Sequence, residues 1–409
     1  MIKKIISAFF TRGLVAAINL AVLLISSKQL GADIVGQVGL LILNVAIIQI
    51  VNEIYTGYSL VYFIAKFSLR KVYVTGLLWT PLCIAALSLL FFCINIGREF
   101  WLHTVLLSLM ATLGSFHSVI ILARQRMGAY NFLVFLQPAV LLITLCVSVF
   151  VCGNRSVDSY LLALYLSFFL ALVLSAAYVL RLISKDKEAP TSFSATEIMK
   201  NGFINQAGNL AHTLSNRISF YLIGSTALIG VFSRASSLIE SVWLIGASIT
   251  PLVLTRVANQ HDKELSSRMA FLLSKISMLL SLLSVLVILC VPQSFFVFLL
   301  GPDFSDVKAL MLCLSPGIVF IGFSTVLSHY FSGVGEQKVQ LLANTLGLLV
   351  TVCTAPLLIA RYGLTGACYS ASLSYFVQAL VVTWLFMRRS DFKFRALFSF
   401  KEDLELLKK

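Results

Sequence analysis

Residues 37–64 read QVGLLILNVAIIQIVNEIYTGYSLVYFI, an apolar run broken by Gln37, Asn44, Gln49, Asn52, Glu53, Tyr55 and Thr56. It is long enough to cross a hydrocarbon core of about 30 Å as a helix. At about 100° per residue, Gln37, Asn44, Asn52 and Tyr55 fall on one arc, with Gln49, Glu53 and Thr56 beside it. Such an arc facing lipid is costly, so it must face other helices or a water-filled cavity.

Working outward, the same kind of run recurs along the chain. Spans fall near 7–27, 37–64, 72–95, 101–122, 131–152, 159–181, 202–225, 228–256, 269–291, 308–332, 340–360 and 364–386. With 59% apolar residues, the expected fold class is an all-α polytopic membrane protein of about 12 transmembrane helices. Met1–Ser27 begins with lysines and an apolar run, but no small-residue cleavage site precedes Gly31, so it reads as the first helix rather than a leader.

Most of the 31 basic residues fall in alternate connections: Lys3, Lys4 and Arg12, then Lys66, Arg70 and Lys71, then Arg124 and Arg126, and so on to the C-terminal tail. This bias puts both termini in the cytoplasm and supports an even number of spans. The net charge of +14 is therefore a topology signal and not a nucleic-acid surface. The longest polar stretch, with Lys185, Asp186, Lys187, Glu188 and Pro190, separates two sets of six spans. The expected organisation is an N-lobe at 1–181, a cytoplasmic linker at 182–201, a C-lobe at 202–387 and a basic cytoplasmic tail at 388–409.

A faint repeat supports two lobes. Leu30-Gly31-Ala32-Asp33-Ile34-Val35-Gly36 recurs as Ile223-Gly224-Ser225-Thr226-Ala227-Leu228-Ile229-Gly230, both between the first two spans of a half. Both halves start inside, so the repeat is parallel, as in transporters that rock about a central site.

The seventh span carries Asn205, Asn209, His212 and Asn216, flanked by Gln206, Thr213 and Arg217, all within one arc. The eighth adds Ser233, Arg234, Ser237, Glu240, Ser241 and Ser248, and in the first span Arg12, Asn19 and Ser26 recur every seven residues. Spans three, five, six, nine and twelve carry few strongly polar residues, so the first two spans of each lobe are expected to face a shared central cavity. Asn and Ser have a plainer role as interhelical hydrogen-bond glue, worth about 0.6 kcal/mol each. Ionised groups at this depth need an aqueous or anionic partner, and the alternative for Arg217, Arg234 and Glu240 is a structural Arg–Glu pair. His212 lies on the polar stripe and is the histidine placed for proton coupling.

No CxxC or Cys/His spacing occurs, so neither a metal site nor a disulfide framework is indicated. Without a phosphate-cradling loop, paired carboxylates or a nucleophile–base set, no catalytic residue is assigned and the expected protein is not an enzyme.

Leu300-Gly301-Pro302-Asp303-Phe304, Gly333-Val334-Gly335-Glu336-Gln337-Lys338, Asn344 with Gly347-Leu348, and Leu358-Ile359-Ala360-Arg361-Tyr362-Gly363-Leu364-Thr365-Gly366-Ala367 follow one another in the C-terminal third. Their order and spacing resemble the polysaccharide biosynthesis flippases, the O-antigen and related lipid-linked oligosaccharide flippases of the multidrug/oligosaccharidyl-lipid/polysaccharide exporter superfamily. Val350-Thr351-Val352 departs from the family, which often repeats an Asn there.

The resemblance implies a MATE-like fold of two pseudo-symmetric six-helix lobes around a central cavity in the bacterial cytoplasmic membrane. It implies alternating-access export of undecaprenyl-pyrophosphate-linked repeat units from the cytoplasmic to the outer leaflet, in lipopolysaccharide or related polysaccharide biosynthesis. By role, Arg12, Arg217 and Arg234 would hold the pyrophosphate. Asn19, Asn44, Asn52, Glu53, Tyr55, Asn205, Asn209, His212, Asn216, Ser237 and Glu240 would supply the polar wall or the coupling site. No cofactor is implied, although H+ or Na+ coupling is open. The implied partners are the lipid-linked oligosaccharide, the bilayer, and a polymerase and chain-length regulator of the same pathway, with the protein working as a monomer.

Two rivals follow from the same residues. A cation-coupled multidrug exporter of this superfamily would place acidic residues in its cavity, where Arg12, Arg217 and Arg234 stand against Glu53 and Glu240. A polytopic membrane glycosyl transferase or O-antigen polymerase would need a sizeable outer loop, and none is present in the sequence.

Overall fold

In the computed structural model, the described backbone comprises residues 2–64, 66–186, 194–243 and 263–390. Eleven long helices are described: α1 (Ile2–Thr56), α2 (Leu69–Cys93), α3 (Trp101–Ala123), α4 (Met127–Cys146), α5 (Val157–Ile183), α6 (Ala195–Arg217), α7 (Thr226–Glu240), α8 (Lys263–Cys290), α9 (Val307–Gly333), α10 (Lys338–Tyr362) and α11 (Leu364–Arg389). No strand occurs among the described residues.

Nine helical stretches are long and apolar enough to cross a membrane among the described residues. The first, Phe10–Phe63, is long enough to cross twice. Its break is Gly31, at φ 80° and ψ 174°, a backbone conformation that costs a residue with a Cβ far more than glycine. The loop expected between residues 27 and 37 is thus a one-residue break between two nearly full-length helices. The polar stripe keeps α6 off the apolar count, and 244–256 of the eighth span lie outside the described residues, as does Ser248. With α1 counted as two, and α6 and α7 added, the segments are those read from the sequence, and the polytopic all-α fold class holds.

Helix α6 starts at Ala195, seven residues before the expected span. Ser194 Oγ accepts the Glu197 backbone N–H at 3.4 Å, the Ser-x-x-Glu arrangement that favours a helix start. Helix α5 has Asp158 in its first turn and Arg181 in its last, both complementing the helix dipole. Pro81, Pro138, Pro316 and Pro356 sit inside helices, as membrane helices tolerate.

The chain divides into two compact units. The first comprises Met1–Leu210, Ser225–Gly230 and Leu299–Asp303, and the second Ala211–Gly224, Val231–Phe298 and Phe304–Lys409. The first has two apolar clusters. One is built on Tyr55, Leu60, Phe63, Leu69, Phe116 and Ile120, the other on Val38, Leu41, Leu107, Leu145, Leu161 and Leu164. The second unit is centred on Phe271, Phe323, Phe331 and Phe386, with the Phe271 and Phe386 rings stacked at 5.7 Å.

Within the first unit the two Gly-bearing repeats interlock. The Ala32 N–H donates to Asp303 Oδ2 at 3.1 Å, and the Thr226 hydroxyl donates to the Asp33 carboxylate. A Cβ on Gly36 would strike the Thr226 carbonyl, and one on Gly230 would strike the Ala32 carbonyl. Gly36 and Gly230 therefore serve direct backbone-to-backbone contact.

Asp186, at the start of the proposed linker, is fixed to the first unit. It pairs with Arg124 and accepts the Leu69 N–H at 3.1 Å, satisfying an otherwise unpaired donor at the start of α2. Asp186→Ala is expected to lower unfolding stability by about 1–2 kcal/mol. A fall in the thermal midpoint in detergent, larger than for Arg124→Gln, would bear this out. Residues 187–193 of the linker and 391–409 of the tail lie outside the described residues.

Candidate functional site

In the first unit, the polar arc of residues 37–56 divides into two roles. Asn52 is fully buried; its amide donates to Thr56 Oγ1 at 3.0 Å and its backbone carbonyl accepts Trp79 Nε1 at 3.0 Å. Tyr55 donates to the Val72 carbonyl at 3.2 Å, and Asn44 is packed under Gly97, whose positive φ of 59° brings backbone against the amide. These three residues sit in the packed interior, and the Tyr55 hydroxyl and the Asn52 backbone carbonyl tie this helix to α2. The Asn52 Oδ1 atom is buried without a hydrogen-bond partner among the described residues.

Glu53 has a different setting. Its Oε1 accepts Gln49 Nε2 at 3.1 Å and Ser115 Oγ at 2.9 Å. Gln49 and Ser115 line a partly open cavity of about 300 Å³ that also has Tyr58, Ser118, Tyr130 and Gln137 in its wall. Tyr58 and Tyr130 share a hydrogen bond of 3.3 Å. Arg12 and Asn19 are exposed on α1, whereas Ser26 turns inward and bonds the Val22 carbonyl at 2.6 Å. Asn205 is half-buried, and the exposed Asn209 donates to Gln206 at 3.1 Å.

In the second unit, the charged residues form a pair. Arg217 spans the Glu240 carboxylate with both terminal nitrogens, the Nη1 bond measuring 3.0 Å, and Tyr375 OH reaches the same carboxylate at 3.4 Å. This two-bond fork is the strongest geometry open to an Arg and a carboxylate. As placed, the Arg217 fork is engaged by Glu240, the arrangement the sequence admitted as a structural pair. Arg234 and Ser237 are half-buried on α7. His212 accepts from the Asn216 amide at 3.1 Å and lies 5.9 Å from the Trp243 ring.

The twelfth span, expected to carry few strongly polar residues, holds a small buried network around one of them, Gln378. On α11, Ser370, Ser374 and Gln378 are buried. Gln378 donates to Ser215 Oγ at 3.1 Å, Ser215 and Ser374 share a bond of 2.7 Å, and Ser374 reaches the Gly347 carbonyl at 2.8 Å. The i, i+4 spacing of 370, 374 and 378 was the available signal. Among the described residues, no group of three or more His, Cys, Asp or Glu side chains converges to hold a metal.

No family model matches the chain, and no curated protein does. Solved structures do. The lipid II flippase MurJ, in an inward closed conformation, superposes with a TM-score of 0.72 at 15% identity, over 95% of this chain and 90% of that one. A multidrug resistance MATE transporter of the MOP superfamily, outward-facing, gives 0.66 at 16% identity over 94% of each chain. The Vibrio cholerae MATE transporter VcmN in its bent form gives 0.57 at 15% identity, over 95% and 96%. The chain thus shares the fold of these flippase and multidrug transporter structures, a bundle of membrane-spanning helices.

Proposed function

We propose that the protein is a flippase that carries undecaprenyl-pyrophosphate-linked oligosaccharide repeat units from the cytoplasmic to the outer leaflet of a bacterial cytoplasmic membrane. The observation that carries this reading is the likeness to the lipid II flippase along nearly the full length of both chains. The lobes at 1–181 and 202–387, joined by 182–201, would alternate access, with both termini cytoplasmic. A diphosphate cannot cross hydrocarbon unaided, because an isolated ion faces a desolvation cost of tens of kcal/mol. Guanidinium groups and neutral polar side chains on the path lower that cost, while the polyprenyl tail stays in lipid. Moving two negative charges outward also gains roughly 4–5 kcal/mol per 100 mV of inside-negative potential.

Arg12 and Arg234 are the arginines proposed to hold the pyrophosphate, and Arg217 would join them only by exchanging Glu240 for phosphate. Vesicles reconstituted with the protein and a fluorescent undecaprenyl-pyrophosphate oligosaccharide test this. Arg12→Ala and Arg234→Ala should each slow flipping at least tenfold, and the corresponding Lys variants should keep part of it. Unchanged rates in both Ala variants would remove them from the site.

A cation-coupled drug exporter is the second reading, favoured by Glu53 beside the first-unit cavity. It requires Glu53-dependent efflux of a cationic dye from the same vesicles.

A further inference from the structure

We propose that a cavity inside the second unit is a subsite for one neutral sugar ring of the cargo; this rests on the flippase reading above. The cavity holds about 220 Å³ between α6, α9, α10 and α11, with Trp243 at one wall. At ~30 Å³ per water that is room for about seven waters. It is smaller than the roughly 300–1,000 Å³ of drug-sized pockets, and suits a body the size of one pyranose.

The lining decides the chemistry. It includes His212, Trp243, Thr325, Ser328, His329 and Gln340, and among the described residues no carboxylate, lysine or arginine is part of it. A bare cation would find no anionic ligand there, and a diphosphate no guanidinium or ammonium. In this conformation the nearby Arg217 and Glu240 are paired with each other and not turned to the cavity's contents. Neutral hydroxyls, amides and imidazoles offer mixed donors and acceptors, the complement of a ring of hydroxyl groups. Thr325 spends its proton on the Ile321 carbonyl at 2.7 Å, which leaves its oxygen lone pairs to accept from a ligand.

The second, independent observation is Trp243. Its Nε1 is buried and has no hydrogen-bond partner among the described residues, although a buried unsatisfied donor costs about 1–3 kcal/mol. With a small turn of the indole, a hydroxyl seated in the cavity would accept that N–H while the ring offers an apolar face to the sugar's C–H groups. A lone water would satisfy the donor but would not account for the surrounding set of amides and hydroxyls.

The test is equilibrium dialysis of the purified full-length protein against radiolabelled glucose, galactose, N-acetylglucosamine and rhamnose, with labelled sodium and undecaprenyl pyrophosphate dialysed separately. At least one sugar should bind saturably in the millimolar range. Trp243→Ala should abolish that binding, and Gln340→Leu and Ser328→Val should each weaken it at least tenfold. The thermal midpoint of the Gln340 and Ser328 variants should stay within a few degrees of wild type, which keeps the test valid if Trp243→Ala fails to fold. No saturable binding of any of the four sugars overturns the subsite. So does sugar binding that survives all three substitutions, or sodium binding that needs Trp243. If a sugar binds as described but undecaprenyl pyrophosphate does not bind wild type, the subsite stands and the flippase reading falls.

Discussion

Arg217→Ala and Glu240→Ala are each expected to cost about 3–5 kcal/mol of stability, because either change leaves a charge without its partner in a half-buried, low-dielectric setting. Both should also abolish export. The paired change Arg217→Met with Glu240→Leu removes both charges together, and it should recover most of the lost stability. Whether transport returns with it separates two roles. If the pair only holds α6, α7 and α11 together, the double variant exports normally. If Arg217 leaves Glu240 for phosphate during the cycle, the double variant folds and does not export. We expect the second outcome, and thermal unfolding in detergent alongside flipping in vesicles measures both.

The second large effect is expected at the interlocked glycines. Gly36→Val and Gly230→Val place side-chain carbons where the Thr226 and Ala32 carbonyls now lie, so the two backbones must separate. A transporter that passes through this packing in each cycle should lose at least tenfold in rate while still inserting in the membrane. Asp33 and Thr226 are hydrogen-bonded across the same contact, so the pair Asp33→Cys and Thr226→Cys should cross-link under mild oxidation. Transport by that variant should stop on oxidation and resume on reduction. Full activity in the oxidised form would mean that the contact never opens during transport.

The apolar spans were legible because a membrane helix must bury its backbone polar groups over some twenty residues, and little else produces such runs. Glu53 was legible for the complementary reason, that a carboxylate in such a run requires company. Its partner Ser115, 62 residues away, was not, because pairings between helices leave no periodic trace. The Arg217–Glu240 fork was only half legible: both residues stood out, but 23 residues of separation could equally have meant two groups facing water. Serines hid the α11 network, since Ser scores as nearly neutral in an apolar helix and Gln378 alone did not mark a face. Asp303 sat in a stretch singled out by resemblance, yet its bond to the Ala32 N–H joins residues 271 positions apart. The α6 start at Ala195 was hidden in a stretch read as linker, although Ser194 and Glu197 have the spacing of a helix start.

The central claim is the direction and nature of the cargo, and it is tested most directly by deleting the gene in its host and locating lipid-linked repeat units with labelled sugar. The account predicts that they accumulate on the cytoplasmic leaflet while surface polymer disappears. Accumulation on the outer leaflet, or no change in either, would contradict it.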